Sequence, residues 1–218
     1  MKTSKIIFIA FFSILTLFLL SLMIQTNKNK TQFIHTAVAL PPFHHLVLND
    51  VRDVDVRVST TDSVIVFHNP STIAIMPNYH IKGDTLMVTW PYKEKEMQWS
   101  KTITCAKLRS ITLKNSKIDF HGLNADSLSI LAHSGDITMN YGGVVKYFSI
   151  NLQADSKLWC NMGPISSVKL DMSHSAATFR ADIIGHLQAE LRNASEINVQ
   201  KVLRTEVTSD ESSRYYSR

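Results

Sequence analysis

The sequence predicts an all-β protein: a parallel β-helix, or solenoid, of about five coils with an N-terminal β-rich cap, preceded by one transmembrane helix. Three observations carry this. Beyond residue 42 the apolar residues alternate with a period of two, the mark of strands that bury one face. From Ile111 onward a polar centre with alternating apolar flanks returns about every twenty residues, a period that belongs to stacked coils. Ahead of both stands an unbroken apolar run from Ile6 to Ile24.

That run holds 19 residues without a charge, and as a helix it would measure about 28 Å, close to the hydrocarbon core of a bilayer. Its exit, Ile24-Gln25-Thr26-Asn27-Lys28, lacks the small residues of a cleavage site. Residues 1–24 are therefore expected to remain as a signal anchor, with residues 6–24 in the membrane. Only five residues precede the run, Lys2 and Lys5 among them, which favours a cytoplasmic N-terminus and an inner-membrane anchor with the folded part in the periplasm. Cleavage of the leader would instead release that part for export.

Residues 25–42 are polar and end on Pro41-Pro42, as a linker does. The β-rich portion 43–107 follows. Val54, Val56 and Val58 alternate with Asp55 and Arg57, Val64 and Val66 come after the turn-like Ser59-Thr60-Thr61-Asp62, and Gly83-Asp84 stands between two apolar runs as a hairpin turn. The coils are expected over 108–207. Their central serines, Ser116, Ser134, Ser156, Ser175 and Ser195, lie 18, 22, 19 and 20 residues apart. One coil cannot bury its inward row, such as Phe148, Ile150 and Leu152, but coils stacked about 4.8 Å apart close a continuous core. Residues 208–218 read as a polar tail.

Composition narrows the chemistry. Lys and Arg number 23 against 18 Asp and Glu, a net charge of +5 that falls to +3 once Lys2 and Lys5 are set aside. The excess is scattered, so nucleic acid is not an expected partner. Cys105 and Cys160 show no metal-ligand spacing and are expected to remain unpaired in strands. No phosphate loop, nucleophile elbow, zinc helix or dinucleotide fingerprint is present, and no cofactor and no catalytic residue is assigned. A β-helix could still assemble an acid pair from Asp119, Asp136, Asp155, Asp171 and Asp182. The residue before each central serine forms one column, in which His133 and His174 would bracket Asp155 as a candidate divalent-metal site, set against a plain polar corner ladder. Trp90, Tyr92 and Trp99 lie in the longest irregular stretch and are candidate ligand-binding aromatics, set against a loop that seals the coil end.

The Phe43-x-x-Leu46-x-Leu48 opening, the Val54-Asp55-Val56 strand, the Gly83-Asp84-Thr85-Leu86 turn, and the coil that leads from Leu128-Ser129-Ile130 to Ser134-Gly135-Asp136-Ile137 resemble the head GIN domain family. The likeness runs over about Phe43 to Val207. That family consists of uncharacterised envelope proteins of Bacteroidetes, described by analogy of fold as autotransporter adhesin heads. The resemblance implies a parallel β-helix with no assigned catalytic residues. The expected function is a non-enzymatic, membrane-tethered, extracytoplasmic β-helix for adhesion, for glycan or envelope-protein binding, or for envelope structure. The alternative is a carbohydrate-active enzyme of polysaccharide lyase or glycosidase type.

Overall fold

The computed structural model describes residues 15–21, 34–68, 76–90, 100–140 and 143–217. The chain divides into two compact units, one of residues 1–34 with 68–73 and one of residues 35–67 with 74–218. In the first, residues 15–21 form a helix. Seven residues at 1.5 Å each reach about 10 Å, a third of a hydrocarbon core. Among the described residues no helix is long and apolar enough to cross a membrane, which corrects the expected transmembrane helix. The rest of the run 6–24 lies outside the described residues.

The second unit is all-β. Its regular part is a series of two-strand coils: β8 (Ser110–Lys114) with β9 (Lys117–His121), β10 (Asn124–His133) with β11 (Asp136–Met139), and β12 (Val144–Gln153) with β13 (Lys157–Cys160). Then come β14 (Ile165–Ser173) with β15 (Ala176–Phe179), β16 (Ile184–Arg192) with β17 (Glu196–Val199), and β18 (Val202–Ser209) with β19 (Arg214–Ser217). Successive coils pair in parallel, even-numbered strands in a nine-stranded sheet and odd-numbered strands in a ten-stranded one. The stretch read as a polar tail thus contains β19, which lies parallel to β17.

The expected inward row exists. Leu46, Ile111, Ile130, Ile150, Leu170 and Ala189 stand level on successive strands of the nine-stranded sheet and are all buried. Stacking like side chains over like removes them from water on every side, worth about 1.5–3 kcal/mol for each large aliphatic residue. Cys105 and Cys160 are free thiols within the ten-stranded sheet's core, four strand steps apart. Burial pushes both thiols up to about 12, with the Asp62 carboxylate adding to the rise at Cys105.

The N-terminal portion is less regular than its strands suggest in sequence. It holds β1 (Ile34–Ala39), which lies within the stretch read as a linker, and β2 (His45–Asn49), β3 (Val54–Val58), β4 (Ser63–His68), β5 (Asn78–Lys82), β6 (Thr85–Thr89) and β7 (Lys101–Cys105). The hairpin at Gly83-Asp84 forms, with Ile81 opposite Leu86 and Gly83 at a φ of 63°. β3 and β4, in contrast, do not pair with each other. β7 enters between them, parallel to β3 and antiparallel to β4. The coil β2–β3 is likewise sandwiched, since β2 lies between β6 and β8 and β3 between β7 and β9. The second coil made by the chain therefore passes to the far side of the first, and the chain returns before the regular stack begins.

Candidate functional site

The first five of these coils turn from one sheet to the other through a left-handed residue followed by a small one. The left-handed positions are Asn115, Ser134, Asp155, His174 and Ala194, with φ between 48° and 64°. The small residue after each turns inward, giving the column Ser116, Gly135, Ser156, Ser175, Ser195, in which the serines are buried. Their hydroxyls satisfy the backbone that the turn exposes. Ser156 Oγ donates to Gln153 O at 2.6 Å and accepts the Gly135 N–H at 3.1 Å, and Ser116 Oγ donates to Lys114 O and accepts the Val51 N–H. Such a hydroxyl is structural: it pays the desolvation of a buried amide that no strand could reach.

This geometry corrects the candidate metal column. Ser134 is the left-handed corner residue, and Gly135 takes the serine place in that coil. His133 is one position too early: it pairs level with Lys114 and Gln153 in the nine-stranded sheet. His174 and Asp155 do come together, with Nε2 and Oδ1 3.1 Å apart on an exposed corner. Among the described residues no group of three His, Cys, Asp or Glu could hold a metal ion.

The candidate acids do not converge. Asp136 is level with Lys117 and Lys157, Asp171 belongs to the other sheet and is held by Arg192, and Asp155 sits at its corner beside His174. Asp119 is level with Asp55, whose carboxylate is bound by Arg57 at 3.0 Å. Of the aromatic candidates, Trp90 is buried at 8% exposure with the Lys101 ammonium 4.6 Å from its ring centre, so it packs instead of offering a ring face. Tyr92 and Trp99 lie outside the described residues.

A different surface collects groups with nothing to bind. Along the long strands the alternation breaks at one level, where two successive residues face away from the core: Asp126 and Ser127, Lys146 and Tyr147, Ser166 and Ser167. The break shapes a shallow concavity of about 280 Å³ on the outer face of the nine-stranded sheet, lined by Arg109, Ser127, Ser129, Tyr147, Ser149, Ser167 and Lys169 over Leu128 and Phe148. Ser127, Tyr147 and Ser167 stand level on three adjacent strands, and Ser129, Ser149 and Lys169 form the row beside them. Tyr147 is 60% exposed.

The charges around this crease are settled except within it. Lys146 binds Asp126 at 2.6 Å; that hydrogen bond holds the ammonium above, and the carboxyl below, its ordinary range. Arg192 takes Asp171, and that hydrogen bond holds the guanidinium above its ordinary range. Among the described residues Arg109 and Lys169 have no acidic partner, and the four serine hydroxyls make no side-chain hydrogen bond. The crease thus offers two cations, a grid of hydroxyls about 4.8 Å apart and one aromatic ring. Its signal in the sequence was the pair of non-core residues recurring before Leu128, Phe148 and Val168, which breaks the period of two.

No family model and no curated protein matches the chain. Among solved structures it is similar to a "putative adhesin" from Bacteroides fragilis, at 14% identity and a TM-score of 0.59 over 87% of this chain and 98% of that one. It is also similar to a "putative adhesin" from Parabacteroides merdae, at 11% identity and a TM-score of 0.45 over 87% and 97%. The likeness to the Bacteroides fragilis protein is one of fold: this chain shares with it the architecture of its β domain.

Proposed function

We propose that this protein is a non-enzymatic binding module of a bacterial cell envelope, and that it adheres by holding acidic carbohydrate in the crease between Arg109 and Lys169. The observation that carries the reading is the set of unpartnered groups there. Uncompensated guanidinium and ammonium groups suit carboxylate or sulfate, free hydroxyls at strand spacing suit a polyhydroxylated chain, and the Tyr147 ring suits the apolar face of a sugar. The fold shared with the Bacteroides fragilis protein, and that protein's name, support the adhesion part. Asp55 and Asp119 stand level on neighbouring strands, but Asp55 is held by Arg57 and Asp136, Asp155 and Asp171 lie apart from them, which speaks against the lyase or glycosidase alternative with its two acids across one cleft.

A glycan array probed with the full chain tests this. Uronate-containing or sulfated glycans should be retained, their neutral counterparts should not, and retention should fall as salt rises. The double variant Arg109→Ala with Lys169→Ala should bind at least about tenfold more weakly, the effect expected from losing a charge-assisted contact. Retention that ignores both variants would place the ligand elsewhere, and an array with no acidic glycan bound would refute the reading.

A further inference from the structure

The groups of the crease repeat across the strands, not along them. Ser129, Ser149 and Lys169 belong to a row that continues level onto Ser110 of β8 and His45 of β2. Along one strand the crease offers only two places, Ser127 with Ser129 or Tyr147 with Ser149. Leu131 follows on β10 at 44% exposure, and the ion pair of Lys146 with Asp126 closes the other side. An extended ligand therefore finds a series of contacts only by crossing the strands. Each strand adds about 4.8 Å, close to the advance of one pyranose residue in an extended glycan, so one sugar meets one strand.

The two cations are spaced within this frame. Arg109 stands at the start of β8 and Lys169 on β14, three strand steps and about 14 Å apart. They also lie on opposite edges of the crease: Lys169 is in the Ser129 row, and Arg109 precedes Ser110 on the Ser127 side of it. Between them β10 and β12 present hydroxyls and the Tyr147 ring, whose negative face suits the C–H face of a sugar and repels a carboxylate. Both ends are shut to further acid. Beyond Arg109 the Ser110 hydroxyl is held 2.6 Å from His45 Nδ1, and His45 Nε2 faces the Asp84 carboxylate at 3.4 Å. Beyond Lys169 the same row runs to Gln188 and then to Glu206.

We infer that the crease measures its ligand: resting on the acidic-carbohydrate reading above, the glycan lies across β8, β10, β12 and β14 with one residue on each, its acid groups on the first and fourth residues and uncharged residues between. Arg109 takes one acid and Lys169 the other through charge-assisted hydrogen bonds. In an extended chain whose successive residues turn over, the first and fourth residues direct their acids to opposite edges, as the two cations require, and the first and third direct them to the same edge. The second contact is intramolecular once the first has formed, so a ligand of matching span gains affinity that a shorter one lacks.

Calorimetric titration of the full chain with cello-oligosaccharides of two to six residues, each carrying glucuronate at both ends, tests the proposal. The four-residue probe should bind at least about tenfold more tightly than the three-residue one, and neither five nor six residues should improve on four. Moving a cation should move the preference. The double variant Ser129→Lys with Lys169→Ala places the second cation one strand step from Arg109 on the same edge as before, and it should favour the two-residue probe over the four-residue one. Both positions are exposed, so its melting temperature should match the wild type; the wild-type length series decides the matter even if it does not. Affinity indifferent to length, or a preference unmoved in the variant, would overturn the inference and leave acidic-glycan binding in place. Probes that all fail beside a glycan array that retains uronates would overturn it in the same way, and an array that retains none would overturn both readings.

Discussion

The two ends of the described solenoid differ. At the N-terminal end the direction of pairing reverses: β5 lies antiparallel on β6, and β4 lies antiparallel on β7 with β1 outside it. At the other end β18 and β19 stay parallel to the strands before them, and only the inward row changes, to Thr205, Ser209 and Ser217. A parallel coil reproduces its own edge each time it adds a strand, so repetition contains no stop. One end stops by breaking the repeat, which seals Leu86 at 0% exposure one strand from the edge. Over β18 and β19, the last described strands, the repeat continues while its inward row grows more polar.

The largest effect should come from a charge in the stacked row. Ile150→Asp in the middle of the stack and Leu86→Asp beside the sealed end should each cost several kcal/mol in a denaturant titration, because both put an unpaired carboxylate into an aliphatic column. Asn151→Asp, on the outward side of the same strand, should cost less than about 1 kcal/mol. A mild Leu86→Asp would mean that the antiparallel cap does not seal its end.

Smaller changes test how each region is turned. Ser156→Ala strips the acceptor from the Gly135 N–H and should cost about 1–3 kcal/mol, whereas Ser134→Ala, at an exposed hydroxyl of the same column's neighbour, should cost far less. At the cap, Gly83→Ala forces a side chain into a left-handed turn residue, with open space around its Cβ, and should cost about 1–2 kcal/mol.

The smallest effect belongs to the diluted end. Asp210 accepts hydrogen bonds from the Ser213 side chain, the Asn193 N–H and Ser212, which hold its carboxyl down at about 2. Because the folded value lies below the ordinary 3.8, the stabilisation is full above about pH 4 and is lost as pH falls through 2. Amide hydrogen exchange in β18 and β19 should therefore quicken on acidification while the middle coils stay protected, and Asp210→Asn should remove that acid step.

The β character, the inward rows and the hairpin at Gly83-Asp84 were legible in the residues, because each depends on neighbours in the chain. The corner register was not. One corner contains a single left-handed residue, as at His174, and another contains two, as at Ala154-Asp155 and Asn193-Ala194. The spacing of serines therefore drifts, and Ser134 passes for the buried column member that is in fact Gly135. His133 followed that slip into a column it does not occupy. The crease was half visible: the doubled outward residues are in the sequence, but the absence of acids around Arg109 and Lys169 depends on Asp126 and Asp171 being taken by other cations.

The sequence by itself determined that the chain would form strands, which side of each strand would face the core, and that coils near twenty residues would stack. These follow from a period of two and from burial, both of which act on residues close together. Only the tertiary structure decided the order in which the first coils lie, with β7 entering between β3 and β4. It also decided which polar groups were left without partners. Both outcomes rest on contacts between distant strands, where many pairings satisfy the same alternation and only packing of the whole stack selects one.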